Sequence, residues 1–332
     1  MIRPLVVAPM AGGPSTPALV NAATEAGATG FLAAGYKTPH QVEEELRAVH
    51  GAYGLNIFVP GPPPPSIDAL TEYRALLQPE ADRYGIDLPP LRLADDDHFA
   101  AKVELAVAYR VPFVSFTFGV PPRAAVAALR TGGSQVLITV TSPAEAAAAL
   151  AVEPDALIVQ GGSAGGHSAT SDPASFRGDT PTASLVRRLR ADKPLVAAGG
   201  VADVEDVEQL LRAGATAVQC GTAFLLADEA GTRPAQRSFM LSERAPDTVV
   251  TRAFTGQPAR ALRNRFTDLY SSAAPIGYPA VHHLTAPLRA AAARHNDADG
   301  LNLWAGTGFR SARPAPAADL IARLTPENVA PR

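Results

Sequence analysis

The chain has 332 residues, 47% hydrophobic and 18% charged, enough apolar content for one large α/β domain or two smaller ones and too much for disorder. Its 29 Lys and Arg against 32 Asp and Glu leave a net charge of −3, so no basic excess exists to draw nucleic acid or an anionic membrane. A single cysteine, Cys220, excludes an internal disulfide framework and a cysteine-based metal cluster, and predicts a reducing, cytoplasmic setting.

Read from the N-terminus, MIRPLVVAPM has too short an apolar run for a signal peptide, and no later stretch reaches the ~18 apolar residues of a membrane span. Predicted strands follow at 5–10 (LVVAPM), 29–35 (TGFLAAG), 53–59 (YGLNIFV), 113–119 (FVSFTFG), 135–141 (QVLITVT), 156–161 (ALIVQG), 194–200 (PLVAAGG) and 217–225 (AVQCGTAFL). Each ends in Gly, Pro or a polar turn, and each precedes an Ala- and Leu-rich stretch with helix-start signals, among them Thr16-Pro17, Ser66, Pro121-Pro122, Ser142-Pro143, Thr180-Pro181 and Asp203. Strands apolar on both faces and alternating with helices predict an α/β fold, a closed (β/α)8 TIM barrel, with a doubly wound open sheet as the alternative. Two segments break the rhythm. A proline-rich excursion, from GPPPPS to LADDDHF, separates the third and fourth strands, and an Arg-rich segment without strand signal follows the eighth. The expected organisation is therefore a barrel of residues 1–225 with 302–332, and a smaller helical insert, 226–301, over its mouth; Pro316 to Leu324 reads as the last barrel helix.

Barrels of this type place their active sites at the C-terminal ends of the strands and favour a phosphate site after the seventh and eighth. Glycines stand there. Gly199 and Gly200 close the seventh run, and Gln219, Cys220, Gly221 and Thr222 lie in the eighth, so backbone N–H groups, the Thr222 hydroxyl and the helix starting near Asp203 are placed to hold one phosphate. A tight strand-to-helix turn alone also explains Gly199-Gly200. After the sixth strand comes QGGSAGGHSAT, residues 160–170, where glycine-rich backbone delivers one imidazole, His167, a candidate general base. Gly161, Gly166 and Ser168 have P-loop spacing, but His167 occupies the lysine position; the dinucleotide fingerprint fails as well. A mononucleotide across the barrel fits better. His40 and His50 read as helix-surface residues, His295 as a turn residue, and His282-His283 as a surface pair with a place at the mouth as the alternative. The triplet Asp95-Asp96-Asp97 reads as acids favoured by a helix dipole rather than as a metal site.

Taken in order, APMAGG (8–13), Asn56 in LNIFV, VSFTFG (114–119), QGGSAGGH (160–167), AAGGV (197–201) and QCGTAFL (219–225) resemble the nitronate monooxygenase family, also called 2-nitropropane dioxygenase-like. The resemblance spans nearly the whole chain. It implies an FMN enzyme on a TIM barrel that oxidises alkyl nitronates or nitroalkanes with O2 to carbonyl compounds and nitrite. It further implies that Pro9, Met10 and Asn56 lie along the flavin ring, that Gln160, Gly165, Gly166, Gly199, Gly200, Gln219, Cys220, Gly221 and Thr222 hold the flavin and its phosphate, and that His167 is the base. Many members carry a second histidine in the fourth-strand motif, where this chain has Thr117. Two other enzyme classes remain. Related barrels share flavin motifs while using NAD(P)H to reduce quinones or enoyl thioesters. A cofactor-free aldolase or isomerase lacks support, since none of the eight strand runs contains a Schiff-base lysine.

Overall fold

The structure, a computed structural model, describes residues 2–189, 191–243 and 247–327, so the last residues of the 302–332 segment lie outside it. Its strands are β1 (Leu5–Val7), β2 (Thr29–Ala33), β3 (Gly54–Phe58), β4 (Phe113–Thr117), β5 (Gln135–Val140), β6 (Ala156–Gln160), β7 (Gly166–His167), β8 (Leu195–Ala198), β9 (Ala217–Cys220), β10 (Thr248–Thr251) and β11 (Ala259–Leu262). Each of the eight apolar runs supplies one strand of a closed parallel barrel, in the order β1-β2-β3-β4-β5-β6-β8-β9. Closure comes from β1 against β9, with Leu5, Val6 and Val7 opposite Val218, Gln219 and Cys220. The open-sheet alternative is thereby excluded.

Side chains alternate between two cores, as the period of a strand requires. Val6, Ala156 and Ile158 join Phe31, Phe113, Leu137 and Val196 in one buried cluster, while their neighbours Leu5, Val7, Leu157 and Val159 pack with Leu19, Leu185 and Leu320 from the surrounding helices. The Thr16, Ser66, Ser142 and Asp203 side chains cap helices by accepting the N–H groups of Leu19, Ala69, Glu145 and Asp206 at 3.0, 3.1, 3.2 and 3.1 Å. Pro122 and Pro181 stand at the caps of their helices without a side-chain bond. The helix Ala317–Leu324 buries Leu320, Ile321 and Leu324 in the barrel-wall cluster, as its sequence suggested.

The strands are shorter than the runs that predict them. Ala8-Pro9-Met10, Gly199-Gly200 and Gly221-Thr222 leave the ladder and become the barrel mouth.

The segment 226–301 contains the helices Pro234–Leu241, Arg265–Tyr270 and Ala280–Arg294, but also a feature with no sequence signal, the antiparallel hairpin β10-β11. ARAL has no β-branched or aromatic residue and neither strand lies in a longer apolar run of the kind that marks the barrel strands. The hairpin has a positional consequence: β11 pairs with β7, setting Ala259 opposite His167 and Arg260 opposite Gly166. The excursion after β3, grouped with the barrel in the sequence reading, packs instead on this segment. Its helices Ile67–Leu76 and Gln78–Tyr84 bury Leu70, Tyr73, Leu77 and Ala81 against Phe254, Phe266, Tyr270, Val281 and Leu284. Buried Glu80 accepts both Nη groups of Arg265 at 2.6 Å and the Tyr270 hydroxyl at 3.1 Å, which joins the two segments.

The aspartate triplet does not work as predicted. The next helix, Phe99–Ala108, has no acid in its first turn; Asp97 instead pairs with fully buried Lys102 at 2.7 Å and accepts Tyr36 N–H at 3.0 Å, while Asp95 pairs with His283 at 2.8 Å. The acids tie the barrel rim to the segments above it. No helix among the described residues is long and apolar enough to cross a membrane.

Candidate active site

A cavity opens at the barrel mouth, and all the residues singled out from the sequence line it: Pro9, Met10, Asn56, Gln160, Gly165, Gly166, His167, Gly199, Gly200, Gln219, Cys220, Gly221 and Thr222. They come from the C-terminal ends of β1, β3, β6, β8 and β9 and from β7, which follows β6, so closure of the barrel gathers positions as distant in sequence as Pro9 and Thr222.

One end of the cavity is backbone. Among the described residues, the N–H groups of Gly200, Val201, Gly221 and Thr222 have no protein acceptor. Gly200 sits at φ +83, a conformation other residues rarely adopt, and a Cβ on Gly221 would project between Ala8 and Met10. Thr222 Oγ1 accepts Gly306 N–H at 2.8 Å and keeps its own proton to donate. The helix Val204–Arg212 contributes less than expected. Its first turn carries Glu205 and Asp206, and the Asp203 and Asp206 carboxylates already take the N–H groups of Asp206 and Ala202. The free donors at this end of the cavity are therefore loop amides rather than the helix end.

The middle of the cavity is polar on one wall. Gln219 Oε1 is buried with no hydrogen-bond partner among the described residues, an acceptor that calls for a donor on a ligand. Asn56 Oδ1 receives the Ser115 hydroxyl at 2.8 Å and the Thr117 hydroxyl at 3.0 Å, which turns its NH2 donors free of the protein. Thr117 thus orients Asn56. Gln160 lines the cavity and also pins the histidine loop: its Nε2 donates to His167 O at 3.0 Å and its Oε1 accepts Ala169 N–H at 2.7 Å. Gly165 serves packing, because a Cβ there would lie 2.4 Å from Gly306 N. Cys220 is buried and its thiol is pushed up to about 12 by desolvation, so it stays neutral.

At the other end stands His167, boxed by Trp304, Phe118, Tyr278 and Tyr36 at ring-centroid distances of 5.2, 5.6, 6.3 and 6.4 Å. Burial, reinforced by the positive charge of Arg289, lowers its pKa from 6.5 to about 3. The imidazole is neutral and able to accept a proton throughout the neutral range. Nε2 lies 3.0 Å from Thr255 Oγ1.

His282 takes the alternative place at the mouth rather than that of a surface pair: its ring stacks on Tyr36, a cavity-lining residue, at 4.0 Å and 4°, held by Arg289, which donates to His282 O and Nδ1 at 2.8 and 3.2 Å. Only its neighbour His283 turns outward to Asp95. Arg233, Gln236, Asn302 and Trp304 also line the cavity and lie in or just after the insert, where no motif marked them. Isolated residues in irregular backbone carry no periodic signature.

The description of the nitronate monooxygenase family matches residues 1–327. This chain belongs to that family. A probable nitronate monooxygenase of Staphylococcus aureus (strain Newman) is 30% identical over 331 residues, covering 97% of this chain and 93% of the relative. Nitroalkane oxidase from Streptomyces ansochromogenes superposes with a TM-score of 0.93 at 43% identity, over 97% of this chain and 94% of the other. FabK from Thermotoga maritima, at 23% identity and a TM-score of 0.74 over 97% and 91%, shares the fold. Family membership makes this nitronate monooxygenase homologue a flavin-dependent oxidoreductase.

Proposed function

We propose that the protein is an FMN-dependent nitronate monooxygenase that converts alkyl nitronates, and the nitroalkanes that give rise to them, with O2 into carbonyl compounds and nitrite. One observation carries the reading: a single cavity has free backbone amides at one end and a neutral, proton-accepting imidazole at the other. Bound FMN would supply the redox chemistry with O2. The amides of Gly200, Val201, Gly221 and Thr222 would take its phosphate, Gln219 Oε1 and the Asn56 amide would meet polar atoms of the flavin, and Pro9 and Met10 would pack on the ring.

The protein's own part of the reaction is proton transfer and exclusion of water. His167 removes the α-proton of a neutral nitroalkane, and the aromatic box keeps water from competing for it. A substrate that enters as the nitronate anion needs no such step. The cavity lining contains no lysine, which argues against Schiff-base chemistry. We further propose that residues 226–301 act as the cap of the barrel together with the excursion after β3, and that the enzyme works in the reducing cytoplasm.

Oxygen uptake by FMN-loaded protein tests the assignment. Uptake with alkyl nitronate in the absence of NADH, accompanied by nitrite, is expected. Flavin that is reduced by NADH under anaerobic conditions yet stays oxidised with nitronate would instead establish the NAD(P)H-dependent reductase.

A further inference from the structure

His167 turns Nε2 toward the protein, 3.0 Å from Thr255 Oγ1, and among the described residues nothing hydrogen-bonds its Nδ1. Thr255 lies in the loop between β10 and β11 and is 1% exposed. Its oxygen is shared. Oγ1 is 3.3 Å from Gln257 O and accepts Gln257 N–H at 3.4 Å.

A hydroxyl has one proton to give and a carbonyl oxygen can only accept. Gln257 is a buried residue, and among the described residues no other group donates to its carbonyl, so the threonine proton is required there. Oγ1 then faces His167 with a lone pair, and Nε2 must carry a hydrogen to complete the chain Nε2–H to Oγ1–H to O=C. We infer that Thr255 fixes His167 as the Nε2–H tautomer and leaves the lone pair on Nδ1, the nitrogen free of the protein.

Uptake of a proton at Nδ1 gives an imidazolium whose Nε2–H bond to Thr255 is unchanged, so the base needs no rearrangement during transfer. A neutral hydroxyl orients the ring without the increase in basicity that a carboxylate partner brings. The same hairpin also holds the backbone, through Ala259 opposite His167. The catalytic interpretation of Nδ1 rests on the base role proposed above; the tautomer itself does not.

The test is a two-bond 1H–15N correlation spectrum of FMN-loaded protein with 15N-labelled histidine, with His167→Asn identifying the His167 signals. Nε2 protonated and Nδ1 pyridine-like at neutral pH is the expected result; the reverse pattern overturns the inference whatever the reaction. In Thr255→Val the preference should be lost and turnover of neutral nitroalkane should fall about tenfold, the scale of one net hydrogen bond, with nitronate turnover little changed. Thr255→Ser should restore both. An unchanged tautomer in Thr255→Val refutes the role of Thr255. A lost tautomer preference with undiminished nitroalkane turnover supports the tautomer assignment and removes the base role instead.

Discussion

At the scale of single residues, desolvation decides what His167 can do. An exposed imidazole would be part protonated near neutrality, whereas one lowered to about 3 is wholly unprotonated there, and the same desolvation lowers its basicity. His167→Asn should therefore reduce kcat/KM for neutral nitroalkane by roughly 10²-fold or more, the usual worth of a general base, while preformed nitronate loses far less. Parallel steady-state assays on the two substrates check this, and equal losses would contradict it. The same burial leaves a mark on stability. Between about 3 and 6.5 the unfolded chain binds a proton at this histidine that the folded chain does not, so stability is unaffected above 6.5 and declines as pH falls below it. Urea denaturation at pH 7.5 and pH 5 should show a smaller acid loss in His167→Asn than in the wild type.

At the scale of elements, two distant stretches of chain, the excursion after β3 and the segment after the last barrel strand, share one apolar core. The helices Ile67–Leu76 and Gln78–Tyr84 find their core against Phe254, Phe266 and Leu284, and the Glu80–Arg265 pair joins them. Removing the carboxylate leaves Arg265, 30% exposed at its side chain, without its acid. Glu80→Ala should cost about 2 kcal/mol, below the range for a fully buried pair because solvent screens Arg265. The shift in urea midpoint, at unchanged m-value, measures it. The same element scale explains why β10-β11 escaped prediction while the barrel strands did not. Residues such as Leu157 and Val159 are buried by sheet and helix on both sides and read as continuous apolar runs, but ARAL has no β-branched or aromatic residue, and the strand that β11 pairs with besides β10, Gly166-His167, is distant in sequence.

At the scale of the molecule, the cavity is lined by the barrel and by the chain beyond its last strand. Ala8, Gly200 and Gly221 come from strand ends, and Arg233, Gln236 and Trp304 from beyond the last barrel strand, so a ligand that binds there holds both parts. FMN at a hundred times its Kd should stabilise the fold by about 2.7 kcal/mol and raise Tm accordingly. Gly221→Val, whose backbone at φ −108 tolerates a side chain but whose Cβ sits beside Ala8 and Met10, should fold, remain colourless and show no such rise. A yellow, FMN-stabilised variant would disprove the cradle.

The sequence by itself determined the barrel, the strand-end glycines and His167, because each is written locally: apolar runs of strand length, glycines where runs end, one histidine among them. Only the tertiary structure decided how these groups act. Gln160 became a clamp on the loop, Thr117 an orienter of Asn56, and Thr255 and Arg289 the neighbours of His167, because hydrogen bonds and electrostatic fields depend on distances between residues that folding alone brings together.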